Sequence, residues 1–259
     1  MSLAADSGES VREGQGDAVA LGLIVKIPAA GTVELAGHAG FDHVLIDTEH
    51  GPSDMVEIEN HVRAAESAGI RALVRVSDCK SPDILRVLDA GARGVIVPHV
   101  ITAADVESAV ALTSYPPHGR RSLALSTRAG RHGTRTVPEH LDAARREIQL
   151  IIQIEDAEAL ENVPEILATE GLGGVFIGPT DLSASLGMPG QVDDPVVSDA
   201  IESVAEAVLA RPELVLCVIA ANEQQACEWI ARGAQMVLLG APAVMADSLR
   251  SIALAVRAS

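Results

Sequence analysis

The sequence predicts a single-domain (β/α)8 barrel, and three observations point to it. Eight short apolar runs alternate with eight longer amphipathic stretches along the chain, a rhythm that belongs to a parallel barrel rather than an open sheet. The length of 259 residues matches the about 250 that such a barrel uses. Apolar residues make up 48% of the chain and aromatics only 2%. The core is therefore built from Ala, Val, Leu and Ile, the mixture that suits parallel strands buried on both faces.

Taken in order, strands are expected at 20–25, 43–47, 72–76, 94–98, 149–154, 174–177, 214–219 and 235–239. Helices are expected near 32–39, 53–68, 81–90, 102–114, 156–169, 194–210, 222–231 and 241–257. Gly40, Gly69, Gly91, Gly173 and Gly233 each stand shortly before a strand, where a helix ends in a residue with φ > 0. Ser53, Ser81, Thr102 and Asn222 are placed as helix N-caps. One connection breaks the rhythm: residues 115–140 hold two adjacent prolines, three glycines and five arginines. A loop this long in a compact barrel is usually functional. Its arginines are expected to reach a substrate carboxylate or a neighbouring subunit, or else to form a solvated surface. Residues 1–18 are polar and read as a flexible tail, which leaves 19–259 as the barrel domain.

The formal net charge of -17 excludes nucleic acid as an expected partner, because phosphate backbones need a basic surface. It does not exclude an anionic small substrate, since a few arginines set a local field. No apolar run approaches the ~18–20 residues that span a bilayer, and the first residues lack the apolar stretch of a signal peptide. Cys79, Cys217 and Cys227 have no metal-site spacing, and a small, odd set of thiols fits a reducing compartment. The cytoplasm is therefore expected.

In barrels of this kind the chemistry sits at the C-terminal ends of the strands. The polar residues there are Lys26, the run Asp47-Thr48-Glu49-His50, Arg75 with Asp78, His99, Gln153 with Glu155 and Asp156, and Thr180 with Asp181. Glu155 and Asp181 lie on neighbouring strands. Two hard oxygen ligands that leave most coordination positions open suit Mg2+, Mn2+ or a similar divalent ion. A 2-oxo acid can chelate such an ion through its carboxylate and keto oxygens, and the ion then acts as a Lewis acid on the forming enolate. The plainer alternative for Asp181 is a carboxylate favoured by a helix N-terminus. Arg75 is placed to stabilise an enolate oxygen, or to form a buried ion pair with Asp47 or Glu49. His50 is placed as a general base, whereas His99, His118 and His132 are read as structural. Lys26 is the one lysine positioned for a Schiff base.

Five segments carry a family resemblance: FDHVLIDTEHGP at 41–52, RVLDAGARGVIVPH at 86–99, YPPHGRR at 115–121, QIED at 153–156 and FIGPTDLSASLG at 176–187. Together they resemble the HpcH/HpaI-type class II, metal-dependent pyruvate aldolases, which are TIM barrels. The resemblance implies Glu155 and Asp181 as ligands of a divalent metal ion such as Mg2+, Mn2+ or Co2+. Gln153, Thr180 and Asp181 would touch the bound 2-oxo acid, Arg75 would steady the enolate, and His50 would take the aldol hydroxyl proton. Asp89 matches an acidic residue that raises the basicity of that histidine. Its expected place at the bottom of the barrel, far from its own His50, implies a site completed across a subunit interface. Similar proteins form hexamers, as trimers of dimers, with the last helix exchanged between partners. Two departures stand out. Ser122 follows Arg121 where the family usually has Gly, and RAGRHG at 128–133 is rich in arginine.

The resemblance thus implies a lyase that reversibly cleaves a 4-hydroxy-2-oxo acid to pyruvate, or a related 2-oxo acid, and an aldehyde. The arginine-rich loop motivates an alternative, the biosynthetic condensation of a 2-oxo acid such as oxaloacetate with an acyl-CoA, as in citrate-forming siderophore enzymes. A Schiff-base aldolase using Lys26 and a non-catalytic scaffold barrel are the remaining alternatives.

Overall fold

A computed structural model describes residues 19–258; the tail expected at 1–18 lies outside the described residues. The first half of the chain runs β1 (Ala20–Val25), α1 (Ala30–His38), β2 (His43–Asp47), α2 (Met55–Ser67), β3 (Arg71–Arg75), α3 (Asp83–Asp89), β4 (Gly94–Val97) and α4 (Ala103–Thr113). A 3-10 turn at Arg131–Gly133 then leads to α5 (Val137–Glu147) and β5 (Gln149–Ile154). A second 3-10 turn at Ala157–Asn162 precedes α6 (Val163–Leu167), β6 (Gly174–Ile177), α7 (Pro179–Ser185) and α8 (Pro195–Leu209). The chain closes with β7 (Val215–Ala220), α9 (Glu223–Ala231), β8 (Met236–Gly240) and α10 (Ala241–Ala258). The strands pair in sequence order, all parallel, and β8 closes on β1.

All eight expected strands form, within a residue or so of their predicted bounds. The differences lie in the connections. Asp54, not Ser53, caps α2: its Oδ1 accepts from the N–H groups of Val56 at 2.8 Å and Glu57 at 2.9 Å, and the Glu57 carboxylate accepts from Asp54 N at 3.0 Å. This reciprocal pair satisfies donors that a new helix leaves orphaned. Thr102 caps α4 in the same way with Asp105, and Asn222 caps α9 as expected. Before β6 the left-handed position falls on Gly171, with φ 91°, rather than on Gly173. The helix expected at 156–169 splits into a 3-10 turn and the short α6, whose Pro164 stands in its first turn, a place where a missing N–H costs nothing. The segment 115–140 is not a loop throughout, because α5 begins at Val137 behind a capping box of Thr136 and Glu139.

Strand alternation builds two apolar layers. Outward-facing residues such as Val44, Ile46, Val74, Val95 and Ile152 pack beneath the helices. Inward-facing Ile24, Leu45, Leu73, Ile96, Ile151, Phe176, Cys217 and Leu238, one from each strand, form a separate cluster inside the barrel. Burying a leucine, isoleucine or phenylalanine side chain of this cluster contributes roughly 1.5–3 kcal/mol. This apolar plug fills the middle of the barrel. Below it, at the N-terminal ends of the strands, lie His43 and Arg71. Two residues further along each strand, alternation carries Lys26, Asp47, Arg75 and Gln153 above it.

Candidate active site

The residues above the plug converge on a cleft of about 360 Å³, a size that suits a small organic substrate. Lys26, His50, Arg75, Gln153, Thr180 and Asp181 line it, with Phe176, Ile219 and Pro242 on its apolar side. All six are residues singled out from the sequence.

Asp47 and Arg75 are register partners at the ends of β2 and β3. The Asp47 carboxylate is fully buried and accepts two bonds from Arg75, Nε to Oδ1 at 3.0 Å and Nη2 to Oδ2 at 2.7 Å. Lys26 Nζ adds a contact to Oδ2 at 3.4 Å. Burial alone would raise the Asp47 carboxyl, but the hydrogen bonds and charge of Arg75 outweigh it and hold the group below its usual range. Arg75 responds in the opposite sense. Burial works against its charge, yet Asp47, Glu49 and Glu155 keep it more firmly protonated than a free arginine.

From Arg75 the network continues to β5. Arg75 Nη1 donates to Gln153 Oε1 at 3.2 Å, and Gln153 Nε2 donates to Glu155 Oε2. Glu155 is 1% exposed. Burial pushes its carboxyl up to about 7, with the charges of Glu49 and Asp181 adding to the rise and the His99 N–H and imidazole opposing it. Gly178, just past β6, lies against this pair. A Cβ there would meet Gln153 Nε2 at 2.7 Å and Glu155 Oε2 at 2.8 Å, so only glycine lets β6 turn into α7 at this spot. That turn sets Thr180 and Asp181 on the cleft wall, with Asp181 in the first turn of α7. Asp181 thus stands both in the first turn of α7 and near enough for its charge to act on Glu155.

Sequence reading missed the part played by His99 and Glu49. His99 follows β4 with φ 54°, a left-handed conformation that a residue with a Cβ rarely adopts. This turns its backbone N–H onto Glu155 Oε1 at 2.9 Å. Its ring lies 3.1 Å from Asp156 and 3.2 Å from Glu49. Burial opposes protonation of the ring, but the bond to Asp156 and the charges of Glu155, Asp156 and Glu49 win and raise it. The structural role expected for His99 is thus replaced by a place among the acidic groups. The available signal was its position directly after Pro98 at the end of a strand.

The set fits a divalent cation. Donor atoms of Glu49, His99 and Glu155 lie within 4.8 Å of one another; Asp181, the other ligand expected from the sequence, is not part of that triad, although its charge acts on Glu155. Glu49 Oε2 is buried without a hydrogen bond, although Arg75 Nη1 stands 3.1 Å away, off the bonding direction. Several carboxylates with an incompletely satisfied oxygen, crowded in a partly buried site, are the donor set a hard cation requires.

His50 is half-exposed on the cleft wall. Its backbone N–H is tied to Asp47 Oδ1 at 3.3 Å and its Nε2 lies 3.8 Å from Glu49 Oε2. Asp89 is not among these groups. It ends α3 at the floor of the barrel, where its Oδ1 accepts from Arg121 Nη2 at 2.9 Å. The arginines of 115–140 also lie on the floor side, since the α4–β5 connection returns the chain to the start of a strand. They do not line the mouth of their own chain.

Comparisons with known proteins agree with this geometry. The family model for HpcH/HpaI aldolase/citrate lyase matches residues 21–246. The hydroxypyruvate/pyruvate aldolase of Agrobacterium fabrum is 35% identical, covering 90% of this chain and 87% of that protein. The pyruvate aldolase of Rhizobium etli is 42% identical over 70% of this chain and 71% of its own. Among solved structures, citrate synthase SbnG superposes with a TM-score of 0.82 at 33% identity, covering 93% of each chain. With its closed parallel barrel and an acidic mouth on β2 to β6, the chain belongs to the HpcH/HpaI aldolase/citrate lyase family.

Proposed function

We propose that the protein cleaves a 4-hydroxy-2-oxo acid, reversibly, to pyruvate or a related 2-oxo acid and an aldehyde. The observation that carries this reading is the continuous Asp47–Arg75–Gln153–Glu155 network, which holds one firmly charged guanidinium beside His50 in a single cleft, with a buried carboxylate bonded to the wall residue Gln153. Glu155 and Asp181, with Glu49 and His99 alongside, would hold a divalent cation, Mg2+, Mn2+ or Co2+, which supplies Lewis acidity to a keto oxygen.

In the cleavage direction His50 takes the proton of the C4 hydroxyl. The C3–C4 bond breaks, the aldehyde leaves, and the electron pair moves onto C3–C2 to give an enolate whose negative charge sits on the C2 oxygen. Arg75 stabilises that oxygen from a position fixed before substrate arrives, so no reorganisation is needed as the charge develops. Return of the proton held by His50 to C3, directly or through solvent, then yields the 2-oxo acid and resets the base. Gln153 holds Arg75 and Glu155 in register, and Thr180 offers a hydroxyl to the substrate carboxylate. Lys26 is engaged by Asp47, which favours an electrostatic role over a Schiff base.

Aldol cleavage is expected to disappear on treatment with EDTA and to return with Mn2+, Mg2+ or Co2+. Replacing Arg75 by Ala is expected to lower kcat by roughly 10²–10³-fold. Full activity after exhaustive chelation would falsify the metal role, and an active Arg75→Ala variant would remove the enolate role. The likeness to a citrate synthase supports the second reading, condensation of a 2-oxo acid such as oxaloacetate with an acyl-CoA. Release of free CoA from such a mixture, without aldehyde formation from the hydroxy-oxo acid, would favour it.

We also infer a homo-oligomer, a hexamer built as a trimer of dimers with α10 exchanged. In α10, Leu249 is 65%, Ile252 62% and Leu254 64% exposed. An apolar face of this kind on the last helix calls for cover by another subunit. We infer the cytoplasm as its location, which the three unpaired cysteines support; no helix among the described residues is long and apolar enough to cross a membrane.

A further inference from the structure

Among the carboxylates of the mouth stands one nitrogen donor, His99, and its two ring nitrogens meet different partners. Glu49, His99 and Glu155 follow β2, β4 and β5, three different strands. The left-handed backbone of His99 and the bond from its N–H to Glu155 Oε1 fix where the ring sits. Nδ1 is hydrogen-bonded to Asp156 Oδ2 at 3.1 Å. An ionised carboxylate only accepts, so this bond puts the proton of the neutral ring on Nδ1 and leaves the lone pair of Nε2 open. Nε2 stands 3.2 Å from Glu49 Oε1 but outside hydrogen-bonding geometry, so no proton bridges the two atoms. Two acceptors this close repel unless a positive charge acts on both. The ring is 53% exposed, so an ion from solvent can reach it.

We propose that His99 Nε2 is a direct ligand of the divalent cation, with Asp156 as the positioning residue that fixes its tautomer. The inference rests on the cation reading given above and adds a nitrogen to a set of oxygens. Atoms bound side by side on one octahedral ion, with bonds of about 2.1 Å, stand about 3.0 Å apart, close to the spacing of Nε2 and Glu49 Oε1. Histidines that bind metal commonly donate their other ring N–H to a carboxylate, the part Asp156 plays here. The rival nitrogen is His50, whose Nε2 is farther off, 3.8 Å from Glu49 Oε2. A nitrogen ligand also sorts ions. Imidazole suits Co2+ or Zn2+, whereas Mg2+ favours a shell of oxygens, so this mouth is built for a transition metal ahead of magnesium.

Pulsed electron paramagnetic resonance on the full chain, loaded with Mn2+ and carrying isotope-labelled histidine, reads the ligand without turnover. A coupling from a directly bound nitrogen is expected in the wild type and in His50→Asn, and is expected to vanish in His99→Asn. Asparagine tolerates the left-handed backbone while removing the imidazole; if that variant does not fold, His99→Gly should give the same loss. In calorimetric titrations His99→Asn should weaken Co2+ binding by roughly tenfold or more and Mg2+ binding by less than about threefold. Asp156→Asn should weaken Co2+ binding in the same direction. Bound Mn2+ with no nitrogen coupling, or a coupling that persists in His99→Asn, overturns the inference and leaves the metal-dependent cleavage reading standing. Mn2+ that does not bind at all overturns both. Equal losses for Co2+ and Mg2+ overturn the preference for a transition metal.

Discussion

Gly178 and His43 show how far single residues are constrained at the two ends of this barrel. Gly178→Ala is expected to cost about 1–3 kcal/mol of stability through overpacking and to lower kcat further, because the new methyl displaces Gln153 and Glu155. Thermal melting and steady-state kinetics on one variant separate the two effects, and an unchanged kcat would show that the contact yields without consequence. At the floor, burial and then the Arg71 charge push His43 down to about 4 from its ordinary 6.5, against Asp42. The folded state therefore keeps this ring neutral while the unfolded chain takes up a proton below 6.5. Stability from this group is complete above about 6.5 and is lost as pH falls from 6.5 toward 4, by on the order of 3 kcal/mol. Urea unfolding at pH 7 and pH 5 should show the loss, and His43→Gln should flatten that part of the profile. The mouth residues were legible because period-2 alternation carries Leu45 to Asp47, Leu73 to Arg75 and Ile151 to Gln153 on one face. His99 was not, because its role depends on a left-handed turn that periodicity does not encode.

Among the elements, strands were easier to read than helices. Each strand is a bounded run of Val, Leu and Ile, whereas α5 hides behind an arginine-rich approach and α7 is only seven residues long. The capping box Thr136-Val137-Pro138-Glu139 was the usable signal for α5. Pro179 directly after Gly178 was the signal for α7, since proline favours the first turn of a helix. The helix with the plainest unmet demand is α10. Met245, Leu249 and Ile252 recur at helical spacing on one exposed stripe. Replacing Leu249 and Ile252 together by Lys is expected to reduce the molar mass measured by light scattering while the circular dichroism of the barrel persists. An unchanged mass would show that α10 is not a subunit contact.

For the molecule as a whole, a chain places His50 at its mouth and Asp89 at its floor, so the proposed pairing of the two requires assembly. Mixed oligomers of His50→Ala and Asp89→Asn subunits test this, since one subunit supplies the intact histidine and another the intact aspartate. Recovery of aldol activity that neither variant has alone is expected after unfolding and co-refolding. No recovery would place Asp89 outside the catalytic site. The family, the barrel and most of the mouth could be read from the chain itself, whereas assembly entered only through the family resemblance, because the order of elements says nothing about which surfaces meet. The plug of Leu45, Leu73, Ile96, Ile151 and Phe176 has one more consequence. Its side chains are apolar and buried, with no group to relay a proton, so hydrons reach a bound 2-oxo acid by way of the outer opening. Pyruvate incubated in heavy water should therefore gain deuterium at a rate governed by the groups along that single doorway, and His43→Gln, directly beneath the plug of the same chain, should leave the isotope uptake untouched.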